Sequence, residues 1–137
     1  LKAALSNESN LKVFGDDYPT PDGTCVRDYV HVTDLAQAHL LGLEYLQKNK
    51  GFSAFNLGNG DGFSVLHIIK TCKAILKENI NFEIEDKRSG DPASLIADMT
   101  AAKNILDWKP KFSDLNDIIS SAATWHKYQK IKFGGSG

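Results

Sequence analysis

The sequence predicts an α/β fold of mixed α+β character in a single domain. Three observations support this prediction. Short segments rich in β-branched and aromatic residues alternate with longer segments that have helical periodicity. No linker rich in Pro, Gly or Ser divides residues 1–133. The length of 137 residues suits one domain, or a part of a larger protein.

The first third of the chain carries four recognisable local signals. Residues 1–10 have the composition of a helix end followed by a loop. Residues 11–14 alternate in polarity and predict a short strand. Residues 16–24 contain two prolines and an Asp-Gly pair, which predict turns. Residues 26–32 are β-branched and aromatic, so we predict a second strand there.

A helix and a buried strand are predicted next. Thr33 is a suitable N-cap, and the helix dipole favours Asp34 in the first turn. Apolar residues at helical spacing extend this helix to residues 47–51. Residues 54–57, Ala-Phe-Asn-Leu, are bounded by glycines and predict a short buried strand.

The second half of the chain predicts two strands and three helices. Ser64 is the expected N-cap of a helix whose apolar face spans residues 65–76. The last helix is expected to begin after Ser113 or Asp114 and to end near Tyr128. The other elements are a strand over residues 81–85, a brief strand over residues 95–97 and a short helix capped by Asp98 that ends at Leu106.

Several conspicuous side chains are interpreted as structural. Trp108 is expected to anchor the core, and Trp125 and Tyr128 are expected to pack along the last helix. His31 is also interpreted as structural, and the four histidines share no spacing typical of a metal site. We therefore assign no metal site and no catalytic residue.

Composition excludes several classes of function. The net charge is −1, so no overall field attracts the chain to nucleic acid or to an anionic membrane. No apolar run approaches the roughly 20 residues that a membrane-spanning helix needs. Cys25 and Cys72 are predicted to be reduced thiols, which indicates a cytoplasmic protein.

Residues 58–62, Gly-Asn-Gly-Asp-Gly, are a poor match to a phosphate-binding loop. Glycine recurs at every second position, whereas a dinucleotide fingerprint requires G-x-G-x-x-G. The Gly-Lys-Ser/Thr of a P-loop does not follow either. We interpret the segment as a tight turn between a strand and a helix.

Two arginines are the strongest candidates for ligand binding. Arg27 follows a turn-rich acidic loop, and Arg88 lies in a second loop, Lys-Arg-Ser-Gly-Asp-Pro. A guanidinium gives paired donors to phosphate, so arginines from two loops can clamp a diphosphate. The alternative is that Arg27 is a surface ion-pair partner of Asp28 or of the acidic loop.

Three motifs of the chain resemble the UDP-glucose 4-epimerase family of extended short-chain dehydrogenase/reductase proteins. They are Asp-Tyr-Pro-Thr-x-Asp-Gly-Thr at residues 17–24, Arg-Asp-Tyr-Val-His-Val at residues 27–32 and Arg-Ser-Gly-Asp at residues 88–91. Related sugar-nucleotide dehydratases and decarboxylases share the Arg-Asp pair but not the first motif. The resemblance implies that residues 1–133 are the C-terminal, substrate-binding portion of such a fold. Residues 134–137 are expected to be a flexible tail or an expression remnant.

The resemblance also implies what each motif binds. In that family the two arginines contact the pyrophosphate of a UDP-sugar, Asp91 binds a ribose hydroxyl, and the strand before Gly15 presents backbone groups to uracil. Leu95 stands near the sugar C2 substituent, and its intermediate volume leaves the acceptance of N-acetylated sugars open. The implied substrate-binding residues are Lys12, Val13, Phe14, Arg27, Arg88, Asp91 and Leu95.

The activity implied for the parent protein is that of an NAD-dependent isomerase that interconverts UDP-glucose and UDP-galactose. We expect its NAD fingerprint and its catalytic Tyr-x-x-x-Lys pair to lie in a missing N-terminal, nucleotide-binding half. That half is an expected partner, and the apolar surface left without it is expected to cause self-association. Two alternatives are a stand-alone module that binds nucleotide sugars and an inactive fragment of a related dehydratase or decarboxylase.

Overall fold

The computed structural model describes residues 1–5 and 11–133, except the side chains at positions 130 and 133. Helices and short strands follow one another along these residues, so the predicted α/β fold is confirmed. The helices are α1 (Lys2–Leu5), α2 (Val32–Lys48), α3 (Val65–Leu76), α4 (Thr100–Leu106) and α5 (Leu115–Phe133), and the strands are β1 (Leu11–Phe14), β2 (Val26–Arg27), β3 (Phe63–Ser64), β4 (Phe82–Glu85) and β5 (Ser94–Leu95).

Two small sheets organise the strands. In the first sheet β1 and β4 pair in parallel, with Val13 opposite Ile84. In the second sheet β2 lies between β3, which runs antiparallel to it, and β5, which runs parallel to it. Parallel strands need a long crossover connection. The chain between β1 and β4 supplies one, so each sheet joins segments that are distant in sequence.

The larger hydrophobic core lies between α3 and α5. Its residues recur at helical spacing on both helices, which gives each helix one apolar face. Val13, only 1% exposed, brings β1 into the same core. The buried members are Ala4, Val13, Ile69, Cys72, Leu76, Ile80, Leu115, Ile119 and Ala123.

The smaller core surrounds Trp108, whose side chain is fully buried, as predicted. Its indole Nε1 donates a hydrogen bond of 3.0 Å to the backbone carbonyl of Asp34. The carboxylate of Asp34, which is also buried, accepts from the backbone N–H groups of Lys111 at 3.0 Å and Phe112 at 2.9 Å. One residue at the start of α2 therefore satisfies three donors of the segment that follows α4.

The predicted helix caps are confirmed in part. Ser64 caps α3 by accepting from the backbone N–H of His67 at 3.1 Å. Asp114 precedes α5 and accepts from the backbone N–H of Asn116 at 2.7 Å. At α4 the N-cap position is held by Met99, which makes no side-chain bond, and the predicted Asp98 accepts from the backbone N–H of Thr100 at 2.9 Å.

The strand predicted over residues 26–32 is wrong in its length. Only the first two of these residues form β2, because β3 and β5 on either side are each two residues long. His31, rather than Thr33, is the N-cap of α2, and its Nδ1 accepts from the backbone N–H of Thr33 at 3.1 Å. His31 Nε2 lies 2.8 Å from Ser121 Oγ. These contacts confirm that His31 is structural.

The strand predicted over residues 54–57 is also wrong, since the segment pairs with no strand among the described residues. Its burial still alternates. Phe55 and Leu57 are half-buried against the smaller core, whereas Ala54 and Asn56 are exposed. A strand needs a neighbour for its backbone hydrogen bonds, so composition alone does not produce one here.

The aromatic residues of α5 do not pack as predicted. Trp125 is 57% exposed and Tyr128 is 52% exposed. The helix buries Leu115, Ile119 and Ala123, which follow one another at intervals of four residues. The two aromatic residues lie outside that stripe, so they face away from the core.

The remaining expectations concern the termini, the cysteines and membranes. The loop predicted at residues 6–10 and the tail at residues 134–137 lie outside the described residues. Cys25 and Cys72 are buried free thiols. Within residues 1–5 and 11–133, no helix combines the length and hydrophobicity that crossing a bilayer demands.

We predict that Asp34→Ala lowers the free energy of unfolding by about 2–4 kcal/mol, because two backbone N–H groups lose a buried acceptor. Glu44→Ala, at an exposed position of the same helix, should change it by less than about 0.5 kcal/mol. Urea denaturation followed by circular dichroism measures both. An Asp34→Ala chain as stable as the Glu44→Ala control would contradict the role assigned to this carboxylate.

Candidate functional site

The predicted binding residues come together around the loop that joins the two sheets. The loop between β4 and β5, residues 86–93, carries Arg88 and Asp91 from the first sheet to the second. At its start Arg88 contacts Phe14 of β1, and further along Asp91 contacts Arg27 of β2. The loop therefore connects candidates from three separate parts of the sequence.

Arg27 is held by its own chain. Its Nη1 donates to the backbone carbonyls of Val26 at 2.7 Å and Pro92 at 3.0 Å, and its Nη2 forms an ion pair with the Asp91 carboxylate. The side chain is 22% exposed. A guanidinium has five N–H donors in a fixed plane. Three of them are used here, so two remain for a ligand.

The partner of Arg27 differs from the alternatives that the sequence offered. Asp28, the adjacent acid, does not pair with it. The Asp28 carboxylate instead accepts from the backbone N–H of Asn59 at 2.6 Å and of Ala97 at 3.1 Å. Asp28 thus fixes the end of β2 against two other segments. The spacing of 64 residues between Arg27 and Asp91 gave no local signal of their pairing.

Arg88 is arranged differently from Arg27. Its guanidinium carbon lies 3.7 Å from the centroid of the Phe14 ring, a cation–π contact. The side chain is exposed, and no hydrogen bond or ion pair engages it within the described residues. The backbone N–H of Asp91 donates to the Arg88 carbonyl at 3.2 Å, which closes a turn between the two residues. Its full set of donors remains open to a ligand.

The three predicted residues of β1 are not equivalent. The N–H groups of Leu11 and Gly15 bond to carbonyls of the β4 side. Backbone groups alternate in direction along a parallel pair, so those of Lys12 and Phe14 point away from β4. Val13 has its side chain in the core and its backbone groups on β4. The geometry therefore favours Lys12 and Phe14, and disagrees with a ligand contact by Val13.

Lys12 is occupied by an ion pair. Its Nζ lies 2.7 Å from the Glu85 carboxylate, and the hydrogen bond between them raises the pKa of Lys12. Both side chains are substantially exposed. Any contact of Lys12 with a base would therefore use its backbone, as the sequence analysis expected.

Leu95 lies beside Arg27. The two residues are cross-strand neighbours in the pairing of β2 with β5, so their side chains share one face of the second sheet. Leu95 is 60% exposed, so it does not belong to either hydrophobic core. An exposed apolar side chain next to a fixed guanidinium suits a contact with the non-ionic part of a ligand.

The glycine segment 58–62 does not form a phosphate cradle. A side chain at Gly58 would collide with the Asp28 carboxylate, and the next backbone N–H already donates to that carboxylate. A carboxylate thus occupies the place that an anion would need. The segment is a turn leading to the Ser64 cap, so it offers no fit to the phosphates of a dinucleotide.

The chain itself contains one Tyr-x-x-x-Lys spacing, although the sequence analysis assigned that pair to a missing half. Tyr128 and Lys132 lie near the end of α5, with Lys132 Nζ 5.4 Å from the centroid of the Tyr128 ring. Tyr128 is on the exposed face of the helix. No contact in the described structure joins it to Arg27 or Arg88.

Comparisons with known proteins identify a family profile, relatives and solved structures that are similar to this chain. A profile of the NAD dependent epimerase/dehydratase family matches residues 1–58. The UDP-glucose 4-epimerase of Halalkalibacterium halodurans is 49% identical over 127 residues, which are 93% of this chain and 38% of that protein. A crystal structure of a UDP-glucose 4-epimerase superimposes with a TM-score of 0.87 at 44% identity, over 93% of this chain and 39% of that one. The resemblance to the UDP-glucose 4-epimerases is confirmed.

A third epimerase adds ligands to the comparison. The UDP-glucose 4-epimerase of Bifidobacterium longum was crystallised in complex with NAD+ and UDP. Its TM-score is 0.85 at 38% identity, over 96% of this chain and 39% of that chain. The present chain therefore spans about two fifths of the length of the epimerases it matches.

The acidic loop before Arg27 is fixed by Asp22. The Asp22 carboxylate accepts from the hydroxyl of Ser64 and from the backbone N–H and hydroxyl of Thr24, the latter two at 3.0 and 2.8 Å. Burial acts to raise the pKa of Asp22, but these hydrogen bonds outweigh it, and the pKa is lowered. Asp22 thereby ties the loop to the start of α3.

We predict that the stability contributed by Asp22 is present at neutral pH and is lost as the pH falls through its lowered pKa. A folded-state pKa below the unfolded value means that the ionised form favours folding. Asp22→Asn should therefore cost about 1 kcal/mol at pH 7, and the difference from the parent should shrink towards pH 3. Urea denaturation across this range measures it. A difference that does not change with pH would contradict the proposed hydrogen bonding.

Proposed function

We propose that this chain is the UDP-sugar-binding portion of a UDP-glucose 4-epimerase, and that the parent protein interconverts UDP-glucose and UDP-galactose with NAD as cofactor. One observation carries the proposal. Phe14, Arg88, Asp91, Arg27 and Leu95 form an unbroken series of neighbours around the loop that joins the two sheets. The base contact that the resemblance implies lies at one end of this series and the sugar contact at the other, with the diphosphate and ribose contacts between them.

The role of the chain in that reaction is to hold the substrate. Arg27, anchored by two carbonyls and a carboxylate, has two donors left, and Arg88 offers an exposed positive charge from a loop. Together they neutralise a diphosphate, while the free edge of β1 offers backbone groups to the base. A diphosphate held in this way leaves the hexose free to turn over, because the sugar is tethered at one end only.

NAD supplies the hydride chemistry of such an enzyme. The glycine turn of residues 58–62 provides no dinucleotide cradle, since Asp28 fills it. We therefore propose that NAD and the catalytic tyrosine and lysine belong to a nucleotide-binding half outside this chain. No residue of this chain is proposed to be catalytic.

The nucleotide-binding half is the proposed partner of an apolar surface on α2. Leu40, Leu43 and Leu46 are 62%, 60% and 55% exposed, and Phe52 is 92% exposed. Beside them lies the unpaired segment 54–57, whose alternating burial suits a strand that gains a neighbour. In the absence of that half, this surface is expected to cause self-association of the chain. Sedimentation velocity of the chain against a Leu43→Lys variant tests this.

A hybrid enzyme tests the proposed function. Residues 11–128 would replace the matching segment of the Halalkalibacterium halodurans epimerase, to which the chain is 49% identical. We expect the hybrid to interconvert UDP-glucose and UDP-galactose, and the chain alone to be inactive. A folded hybrid that binds UDP without turnover would favour a binding module. A folded hybrid that does not bind UDP would overturn the proposal.

We predict that Arg27→Ala or Arg88→Ala weakens UDP binding to the hybrid about tenfold to a hundredfold, because charge-assisted hydrogen bonds are worth roughly 1.5–3 kcal/mol each. Arg27→Lys should recover little, since a lysine cannot satisfy two carbonyls and a carboxylate and still present a fork to phosphate. Lys109→Ala, at an exposed surface pair, is the control. Isothermal titration calorimetry gives the Kd values, and unchanged Kd in both alanine variants would end the clamp hypothesis.

We predict that Leu95 sets a size limit at the sugar. Leu95→Tyr should lower kcat/KM for an N-acetylhexosamine nucleotide relative to the plain hexose nucleotide by about tenfold, because overpacking costs roughly 1–3 kcal/mol. Leu95→Ala should shift the ratio the other way. Steady-state kinetics of the hybrid with both substrates measures the ratio. A ratio that is constant across tyrosine, leucine and alanine would place Leu95 outside the sugar site.

A further inference from the structure

Lys87, the residue before Arg88, forms several contacts with the acidic loop. Lys87 Nζ lies 2.9 Å from the Asp17 carboxylate and 3.0 Å from the Asp17 carbonyl, and both contacts bind the same residue of the acidic loop. The ammonium also lies 4.6 Å from the centroid of the Tyr18 ring, a cation–π distance. Carboxylate, carbonyl and ring together surround this cation on the loop side.

The aliphatic part of the Lys87 side chain is also tightly packed. Gly15, which is buried and has a φ of +82°, lies beneath it. A Cβ at Gly15 would be 2.6 Å from Lys87 Cγ and 2.6 Å from Tyr18 Cε2, too close for any side chain. The Gly15 N–H also donates to the Glu85 carbonyl at 2.8 Å. Lys87 therefore fastens the loop after β4 to the loop after β1.

The contacts of Lys87 constrain the backbone from which the Arg88 side chain extends. Lys87 points towards residues 15–18, and the adjacent Arg88 lies over the ring of Phe14. Arg88 itself has no ion pair or hydrogen bond within the described structure that would fix it. Its orientation thus depends on the stack with Phe14 and on the backbone that Lys87 anchors.

We propose that Lys87 is a positioning residue for Arg88, one that aims the second guanidinium at the diphosphate without touching the ligand itself. The inference rests on the proposed function, because the diphosphate is what Arg88 would bind. The two adjacent cations then have separate tasks. Lys87 neutralises Asp17 and anchors the loop, and Arg88 keeps its donors for the ligand. An exposed ion pair of this kind adds little to global stability, so its effect is expected to be local.

The first test measures the position of Arg88 without any ligand. Protons of Arg88 that lie over the Phe14 ring are shifted upfield in the NMR spectrum of the labelled chain. Lys87→Met keeps the aliphatic stem but removes the charge, and it should move these resonances towards random-coil values. Lys87→Arg should retain most of the shift. Lys109→Met, which removes a similar lysine pair with Asp107 at 2.9 Å, should leave it unchanged. An unchanged Arg88 shift in folded Lys87→Met would overturn the proposal.

The second test measures coupling in the hybrid enzyme. We expect Lys87→Met to weaken UDP binding about threefold to tenfold and to weaken UMP binding less. In the Arg88→Ala background the same change should have almost no further effect, because Lys87 then has nothing to position. Additive effects of the two substitutions would mean a general structural role and would overturn the inference. A hybrid that fails to bind UDP would overturn the proposed function, and the NMR test would still decide whether Lys87 orients Arg88.

Discussion

The ion pair between Arg27 and Asp91 is the contact on which the arrangement of the site depends. It joins the central strand of one sheet to the loop that leaves the other, across 64 residues of sequence. Neither sheet is large enough to impose this arrangement, since one has two strands and the other has strands of two residues. The guanidinium and the carboxylate hold the loop of residues 86–93 against β2, and the carbonyls of Val26 and Pro92 hold the guanidinium.

Carboxylates in the stretch from Asp22 to Asp34 act mainly as acceptors for the chain's own hydrogen bonds. Asp22 satisfies Thr24 and Ser64, Asp28 satisfies two distant backbone N–H groups, and Asp34 satisfies two more. A carboxylate has two oxygens and donates nothing when ionised, so it suits a place where several N–H groups converge. The acidic character of this stretch therefore reflects loop architecture more than reactivity.

Local signals were sufficient for much of the fold. The strand β1, the helix α3 with its Ser64 cap and the burial of Trp108 each follow from composition, spacing or capping chemistry within a few residues. The failures have a common cause. Residues 54–57 have strand composition but no neighbour, and the extended residues after Arg27 leave β2 because its flanking strands end. Strand formation depends on a partner that a local window does not contain.

The residues of the candidate site could be predicted from the sequence, but most of their contacts could not. The motifs identified Arg27, Arg88 and Asp91, the resemblance added Leu95, and the structure brings these residues together. The sequence did not indicate that Asp91 rather than Asp28 pairs with Arg27. It also did not indicate that Val13 uses its side chain in the core and its backbone groups in the pairing with β4. Lys87 was passed over because an exposed lysine in a charged loop has no distinctive pattern, and its significance lies in contacts with a distant glycine and tyrosine.

Because Arg27 carries its own counter-ion, the two arginines differ in how far their charge extends. Paired with Asp91, Arg27 is close to neutral when viewed from a distance, and its donors act only at contact. Arg88 is unpaired and exposed, so its field extends into solvent until salt screens it. Of the two arginines, Arg88 should therefore contribute more to guiding an anionic ligand, and its contribution to the rate of capture should depend on ionic strength. Arg27 would then govern how long the ligand stays.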